Sequence, residues 1–147
     1  QRIALGSYTF SRENMIAYSR KFDPVGFHVD EAAGKASPYG AMTAAGLHTA
    51  CGWMACYVAK NTAERLALER QGKTLPEVGP SPGFKNMCWL KPVFAGDVIS
   101  YFTTATTKRA LKSRAGWAMV SGFNEGVNQH GETVFTFESA VLNAMRG

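Results

Sequence analysis

The stretch TAAGLHTACGWMACYVA, residues Thr43–Ala59, contains no charged side chain and decides the fold that we expect. An apolar stripe recurs in it at helical spacing: Leu47, Cys51, Met54 and Val58. This periodicity predicts a helix that starts near Thr43. Most other positions in the stretch are Ala or Gly. A helix so poor in charge is typical of a buried one, so we expect a central helix whose stripe lies in the core and whose small residues let neighbouring backbone come close.

The segments on either side of this helix predict a sheet around it. Charged residues between Lys60 and Gln71 indicate that the helix emerges into water before Gly72 ends it. Segments rich in β-branched and aromatic residues predict five strands: Leu5–Phe10, Met87–Leu90, Val98–Thr107, Trp117–Phe123 and Thr133–Leu142. This order predicts an α+β fold, a curved antiparallel sheet wrapped around one long helix, in a single domain over residues 1–147.

The segment before the helix, Phe22–Asp30, reads FDPVGFHVD and places an acid and an imidazole in a short apolar loop. Asp23 and His28 are five residues apart, which would turn them onto diverging faces of a continuous helix. Pro24 and Gly26 favour a bend instead, so His28 can fold back beside Asp23. A carboxylate and an imidazole are suited to hold and activate a water. A surface turn with a solvated Asp and a partly buried His is the alternative that these residues leave open.

Composition narrows the class of protein. The chain has 147 residues, of which 46% are hydrophobic and 12% aromatic, as expected for a globular protein. Its apolar runs are too short for a membrane span, and its start does not resemble a signal peptide. Three cysteines without metal-type spacing, Cys51, Cys56 and Cys88, indicate buried free thiols and a cytoplasmic location. Asp23, His28 and Asp30 have no further His or Cys cluster beside them, so we expect no metal site.

The net charge of +5 is moderate and does not by itself indicate a nucleic-acid partner, because no binding motif accompanies it. Its clearest concentration is the basic run Lys108–Arg114, which is typical of a solvated turn but can also meet the phosphates of an anionic ligand. Lys85 and Lys91 are further candidates for such a contact. Among the remaining histidines, we expect His48 to be packed with one nitrogen satisfied, and His130 to be exposed in a turn.

Several segments, taken in this order, resemble the MaoC-like dehydratases and R-specific enoyl-CoA hydratases, which have the hotdog fold. They cover nearly the whole chain: Phe22–Asp30, Ala36–Gly40, Ala44–Thr49, Trp89–Val93 with Gly96–Asp97, and Asn128–Glu132. The Asp-x4-His spacing followed by the small-residue helix is the specific part of the resemblance. The pair Val25-Gly26 departs from the motifs of both branches of the family, which leaves the acyl group open.

The resemblance implies addition of water to a trans-2-enoyl thioester of CoA or an acyl carrier, or the reverse dehydration of an R-3-hydroxyacyl thioester, without a cofactor. It implies that Asp23 and His28 hold the water, and that the backbone N–H of Gly46 stabilises the thioester oxygen. The residue chemistry agrees, because a helix N-terminus presents free N–H groups and Gly lets a ligand approach closely.

Three further residues are candidates for substrate binding. Phe27 and Tyr39 flank the expected site and can shape an acyl pocket or belong to the core, and Leu47 follows Gly46 on the helix. The resemblance also implies a homodimer. Two other functions stay open at this point: a hotdog acyl-CoA thioesterase, and a non-catalytic module that binds acyl thioesters.

Overall fold

The computed structural model describes residues 1–145 and contains one antiparallel sheet and a long helix. The elements in chain order are β1 Arg2–Thr9, α1 Arg12–Phe22, α2 Gly26–Val29, α3 Glu31–Ala36, α4 Gly46–Glu69, β2 Gly83–Trp89, β3 Val98–Ala110, β4 Trp117–Val127 and β5 Thr133–Ala144. The predicted α+β architecture with one central helix is confirmed. Ser11 caps α1, since its hydroxyl accepts from the N–H of Asn14 at 3.1 Å. Among the described residues, no helix is long and apolar enough to cross a membrane.

The sheet has the strand order β1-β3-β4-β5-β2, which leaves β1 and β2 at its edges. One row of paired residues runs across four of the strands: Tyr101, Gly126, Phe135 and Trp89. Because β2 follows α4 in the chain but pairs with the last strand, the start of α4 and the end of β2 can meet at one end of the sheet.

Helix α4 packs on the sheet through a face of small and aromatic residues. Its buried residues are His48, Thr49, Gly52, Trp53 and Cys56. The Trp53 ring lies edge-on to that of Phe137, with 4.8 Å between centroids. Tyr101 donates its hydroxyl proton to the carbonyl of Thr49 at 2.7 Å. The small residues therefore admit aromatic side chains of the sheet, rather than neighbouring backbone.

The prediction that the apolar stripe of α4 lies in the core is wrong. Leu47 is 61% exposed, Met54 41% and Val58 53%, and Cys51 is also exposed. These residues lie on the helix face opposite the one that meets the sheet. Periodicity shows that a helix has an apolar stripe, but it does not show which partner covers the stripe. The expectation of buried thiols holds for Cys56 and fails for Cys51 and Cys88, which are both exposed.

The helix starts at Gly46, later than the predicted Thr43. Extended backbone precedes it, because Thr43 forms a bridge with Phe94 and the N–H of Ala44 donates to Val93 at 2.8 Å. These bonds tie the entry of the helix to the segment that follows β2. They also make Gly46 the first residue of the helix.

Candidate active site

The loop between α1 and α3 brings Asp23 and His28 together. Asp23 ends α1, and the N–H of His28 donates to the carbonyl of Val25 at 2.9 Å, which starts the single turn of α2. As a result, Nε2 of His28 lies 3.4 Å from Oδ2 of Asp23. The Asp23 side chain is 40% exposed and that of His28 11% exposed. The expected bend is therefore present, with the carboxylate open to water and the imidazole enclosed.

Thr43 orients the imidazole through its backbone. Nδ1 of His28 lies 2.6 Å from the carbonyl oxygen of Thr43. A carbonyl can only accept, so Nδ1 carries the proton and the neutral ring has a free lone pair on Nε2. Nε2 and the Asp23 carboxylate are then two acceptors side by side. Such a pair fits a water molecule that donates its protons to them.

His28 opens into a cavity of about 430 Å³. The cavity is also lined by Phe27 and Tyr39, by Gly46 at the start of α4, and by the segment Trp89–Val93 on the opposite wall. The Phe27 ring lies 4.6 Å from the His28 ring and 5.5 Å from the Tyr39 ring, between centroids. Phe27 and Tyr39 are therefore placed beside the Asp23–His28 pair, as expected.

Gly46, the first residue of α4, lines the same cavity. Ala45 is the N-cap residue of α4, and in the described structure it makes no side-chain capping bond. The first N–H groups of a helix have no partner within the helix, and the positive end of the helix dipole lies at the same place. The start of α4 thus offers hydrogen-bond donors to a ligand in the cavity.

Leu47 does not take part in this cavity. Its side chain is 61% exposed on the outer stripe of α4 and is not among the residues that line the cavity with His28. Within one chain, Leu47 therefore does not line the cavity that contains His28, and its role in substrate binding stays a prediction.

The sequence interpretation missed two residues of the site, Thr43 and Trp89. Thr43 acts through a carbonyl, which no side-chain pattern reports. The predicted strand Met87–Leu90 contains Trp89 but gives it no part in the site, yet its indole Nε1 donates to the carbonyl of Gly46 at 2.8 Å. The only signal in the sequence was its place just before the Lys91-Pro92 turn.

Of the candidate basic residues, Lys91 lies at the cavity, where it pairs with Glu132. The Lys108–Arg114 run lies at the other end of the sheet, where β3 turns into β4. Tyr101 of β3 lies in the same row of paired residues as Trp89. Arg109 lies further along β3, at a distance from Tyr101 of roughly 26 Å if each residue advances by the usual rise of a strand. Lys85 and Arg109 line a separate cavity together.

A second, apolar cavity of about 230 Å³ lies further along α4. Trp53, Met54 and Tyr57 line it from the helix, and Phe84 and Val141 from the sheet. Among residues 1–145, neither Asp23, nor His28, nor any other charged side chain lines it. Its chemistry suits an apolar group and offers no acid or base.

His48 lies outside the reaction site. It is buried, its Nε2 lies 3.0 Å from the Tyr8 hydroxyl, and Nδ1 has no partner among the described residues. Its ring stacks on that of Tyr18 with 4.4 Å between centroids. Burial lowers the pKa of His48 to about 4. The expectation of a packed histidine with one nitrogen satisfied is confirmed, and His130 is exposed as expected.

No family model and no curated protein matches the sequence. Solved structures do. A MaoC-like dehydratase from Rhodospirillum rubrum is 27% identical with a TM-score of 0.81, over 100% of this chain and 92% of that one. An R-hydratase from Pseudomonas aeruginosa is 15% identical with a TM-score of 0.61, over 99% of this chain and 81% of that one. A chain of a 3R-hydroxyacyl-ACP dehydratase complex from Mycobacterium tuberculosis is 19% identical with a TM-score of 0.63, over 97% of this chain and 94% of that one.

A sheet wrapped around one long helix, with an acid–imidazole pair at the start of that helix, defines a hotdog-fold protein. Within that class, the chain is similar to a MaoC-like dehydratase at 27% identity, and it shares its fold with R-hydratases. The resemblance that the sequence indicated is confirmed by these similar structures.

Proposed function

We propose that this protein is a hydro-lyase that adds water to a trans-2-enoyl thioester, or removes it from an R-3-hydroxyacyl thioester. The observation that carries the proposal is that the Asp23–His28 pair, at 3.4 Å, opens through His28 into a cavity that Gly46, the first residue of α4, also lines. The similarity to MaoC-like dehydratases and R-hydratases supports the same reaction class.

In the hydration direction, the pair holds a water between Nε2 of His28 and the Asp23 carboxylate. One of the two groups accepts a proton from this water while its oxygen bonds to the β-carbon and the C=C π bond breaks. A proton then passes from the pair to the α-carbon on the same face of the substrate. The product gains one water in total, and both side chains return to their starting protonation states.

During the addition, negative charge develops on the thioester oxygen. The Gly46 N–H and the positive end of the α4 dipole are placed to stabilise that charge. Phe27 and Tyr39 supply apolar surface next to the reacting carbons. Lys91 is the basic residue of the cavity, and we assign it to the phosphates of the acyl carrier.

We further propose that two copies of the chain form a dimer. The exposed stripe Leu47, Cys51, Met54 and Val58 of α4 leaves an apolar helix face uncovered. Strand β2 is a sheet edge, and Phe84, Trp89 and the adjoining Leu90 are exposed along it. A second copy that covers both surfaces would bring Leu47 close to the substrate cavity of its partner. Two of the similar structures are complexes.

The experiment that tests the reaction mixes the protein with a series of trans-2-enoyl-CoA esters and follows the conjugated absorbance. We expect Asp23→Asn and His28→Gln each to lower kcat by roughly 10²- to 10⁴-fold, because each removes a proton-transfer group. His130→Gln, in an exposed turn, is the matched control and should retain the rate.

Two results would contradict the proposal. Full turnover by both Asp23→Asn and His28→Gln would remove the pair from the mechanism. Release of free thiol in step with the loss of absorbance would assign the site to thioester hydrolysis instead.

A further inference from the structure

The Trp89 side chain lies directly against Gly46, the first residue of α4. Its Nε1 donates to the carbonyl of Gly46 at 2.8 Å. A Cβ placed on Gly46 would lie 2.9 Å from both Cε2 and Nε1 of the indole, closer than side chains pack. The indole therefore lies against the Gly46 backbone, and only glycine fits beneath it.

The sheet holds Trp89 in place independently of the helix. Trp89 pairs with Phe135 in the β2–β5 register, and the two rings lie 5.6 Å apart. The next residue, Leu90, donates its N–H to Val134 at 2.8 Å. These contacts fix the backbone of Trp89 against β5, and the ring contact with Phe135 holds the indole where it meets the end of the helix.

The Asp23–His28 side of the cavity is fixed by a separate set of contacts. His28 is held by the carbonyl of Thr43, the N–H of Thr43 donates to Phe27 at 3.0 Å, and Ala44 donates to Val93. These bonds end at Ala44, ahead of the helix. Trp89 supplies the next fixed point, at Gly46 itself. The distance between the Gly46 amide and the Asp23–His28 pair therefore depends on Trp89.

We propose that Trp89 is a positioning residue, which holds the first turn of α4 so that the Gly46 N–H faces the thioester oxygen when the Asp23–His28 pair acts. This role rests on the proposed hydro-lyase function. It predicts that Trp89 affects the chemical step more than substrate binding, because the amide is needed most when charge develops in the transition state.

The first experiment compares Trp89→Phe with wild type on an enoyl-CoA that wild type hydrates. Phenylalanine keeps an aromatic ring but lacks the N–H donor. We expect kcat to fall about tenfold and KM to change less than about twofold. Trp117→Phe is the matched control, because Trp117 lies at the far end of the sheet against Arg114 and should leave kcat unchanged.

The second experiment tests the contact without any substrate. Gly46→Ala should lower the melting temperature strongly in the wild-type background, since the new methyl meets the indole. In a Trp89→Leu background, the same substitution should cost much less. The comparison of four proteins by thermal unfolding isolates the Trp89–Gly46 contact from the other effects of each change.

The outcomes separate the two proposals. If wild type hydrates enoyl thioesters and Trp89→Phe retains the full kcat, the positioning role is wrong and the proposed function stands. If Gly46→Ala costs the same stability in both backgrounds, the contact on which the role depends is refuted. If wild type turns over no enoyl thioester while the thermal comparison shows the expected coupling, the proposed function fails and the catalytic role of Trp89 fails with it.

Discussion

His48 lies in the first turn of α4 between aromatic side chains of two other elements. Tyr8 of β1 meets its Nε2, and Tyr18 of α1 stacks on its ring. Nδ1 is buried without a partner in the described structure. Protonation would place a charge where neither ring nor hydroxyl can neutralise it. Burial consequently lowers the pKa of His48 to about 4.

This lowered pKa predicts a loss of stability in mild acid. In the unfolded chain a histidine titrates near pH 6.5, so between about pH 6.5 and about pH 4 the unfolded state binds the proton and the folded state does not. The free energy of unfolding should therefore fall as the pH drops through this window. From about pH 7.5 to about pH 5, we expect His48 to account for about 2 kcal/mol, measured by denaturant unfolding at both pH values.

The matching variant is His48→Phe, which keeps an aromatic ring but cannot titrate. Its free energy of unfolding should depend less steeply on pH than that of wild type, even though the loss of the Tyr8 bond lowers its overall stability. His130→Asn, at an exposed position, should keep the wild-type slope. Equal slopes for wild type and His48→Phe would show that His48 is not buried in its neutral form.

Among individual residues, those that could be predicted from the sequence are the ones whose position depends only on their neighbours in the chain. Asp23 and His28 could be recognised because both side chains are reactive and only Pro24, Gly26 and their neighbours are needed to bend the loop. Thr43 and Trp89 could not, since each acts on a residue distant in sequence or through a backbone carbonyl. Such contacts depend on how β2 pairs with β5, which local patterns do not report.

At the scale of elements, α4 approaches the sheet most closely at Gly52. A Cβ on Gly52 would lie 2.5 Å from the hydroxyl oxygen of Tyr101. That hydroxyl donates to Thr49, and burial raises the pKa of Tyr101, so it remains protonated as a donor. The glycine thus allows a buried hydrogen bond between the helix and β3.

Gly52→Ala should therefore destabilise the protein by about 1–3 kcal/mol in denaturant unfolding, because the methyl displaces Tyr101 and strains its bond to Thr49. The same change in a Tyr101→Phe background should cost less, since the clashing oxygen is gone. Gly122→Ala is the control, as its new methyl meets no atom closer than 3.4 Å. An equal cost of Gly52→Ala in both backgrounds would show that Tyr101 does not set the helix–sheet distance.

The central helix also shows why an element can be predicted without its orientation. The absence of charge in Thr43–Ala59 correctly indicated one long helix at the centre of the fold. One face of that stretch is the apolar stripe of Leu47, Cys51, Met54 and Val58, and the other consists of small and aromatic residues. Burial of large side chains was the simpler assumption, but the aromatic residues of the sheet required the small face. The face that carries Leu47 and Val58 is therefore exposed on the outer side of the helix.

For the whole molecule, that outer face suggests that one copy is incomplete. Leu47, Met54 and Val58 are each more than 40% exposed on one side of α4, and β2 offers unpaired backbone groups at the neighbouring sheet edge. In a two-fold interface the same surface occurs on both chains, so each exposed residue is buried twice. A second copy of the chain can therefore bury this apolar stripe on both subunits at once.

We expect wild type to be a dimer in size-exclusion chromatography with light scattering, and Val58→Glu to be a monomer that retains its helical circular dichroism. A buried carboxylate without a partner is costly at an interface, whereas Val58 is 53% exposed in the single chain, so the same change should not unfold it. Leu66→Glu is the matched control: Leu66 is 48% exposed on the same helix but lies in its charged half, so the dimer should persist. A monomeric wild type, or a Val58→Glu variant that still dimerises, would show that a second copy does not cover this stripe.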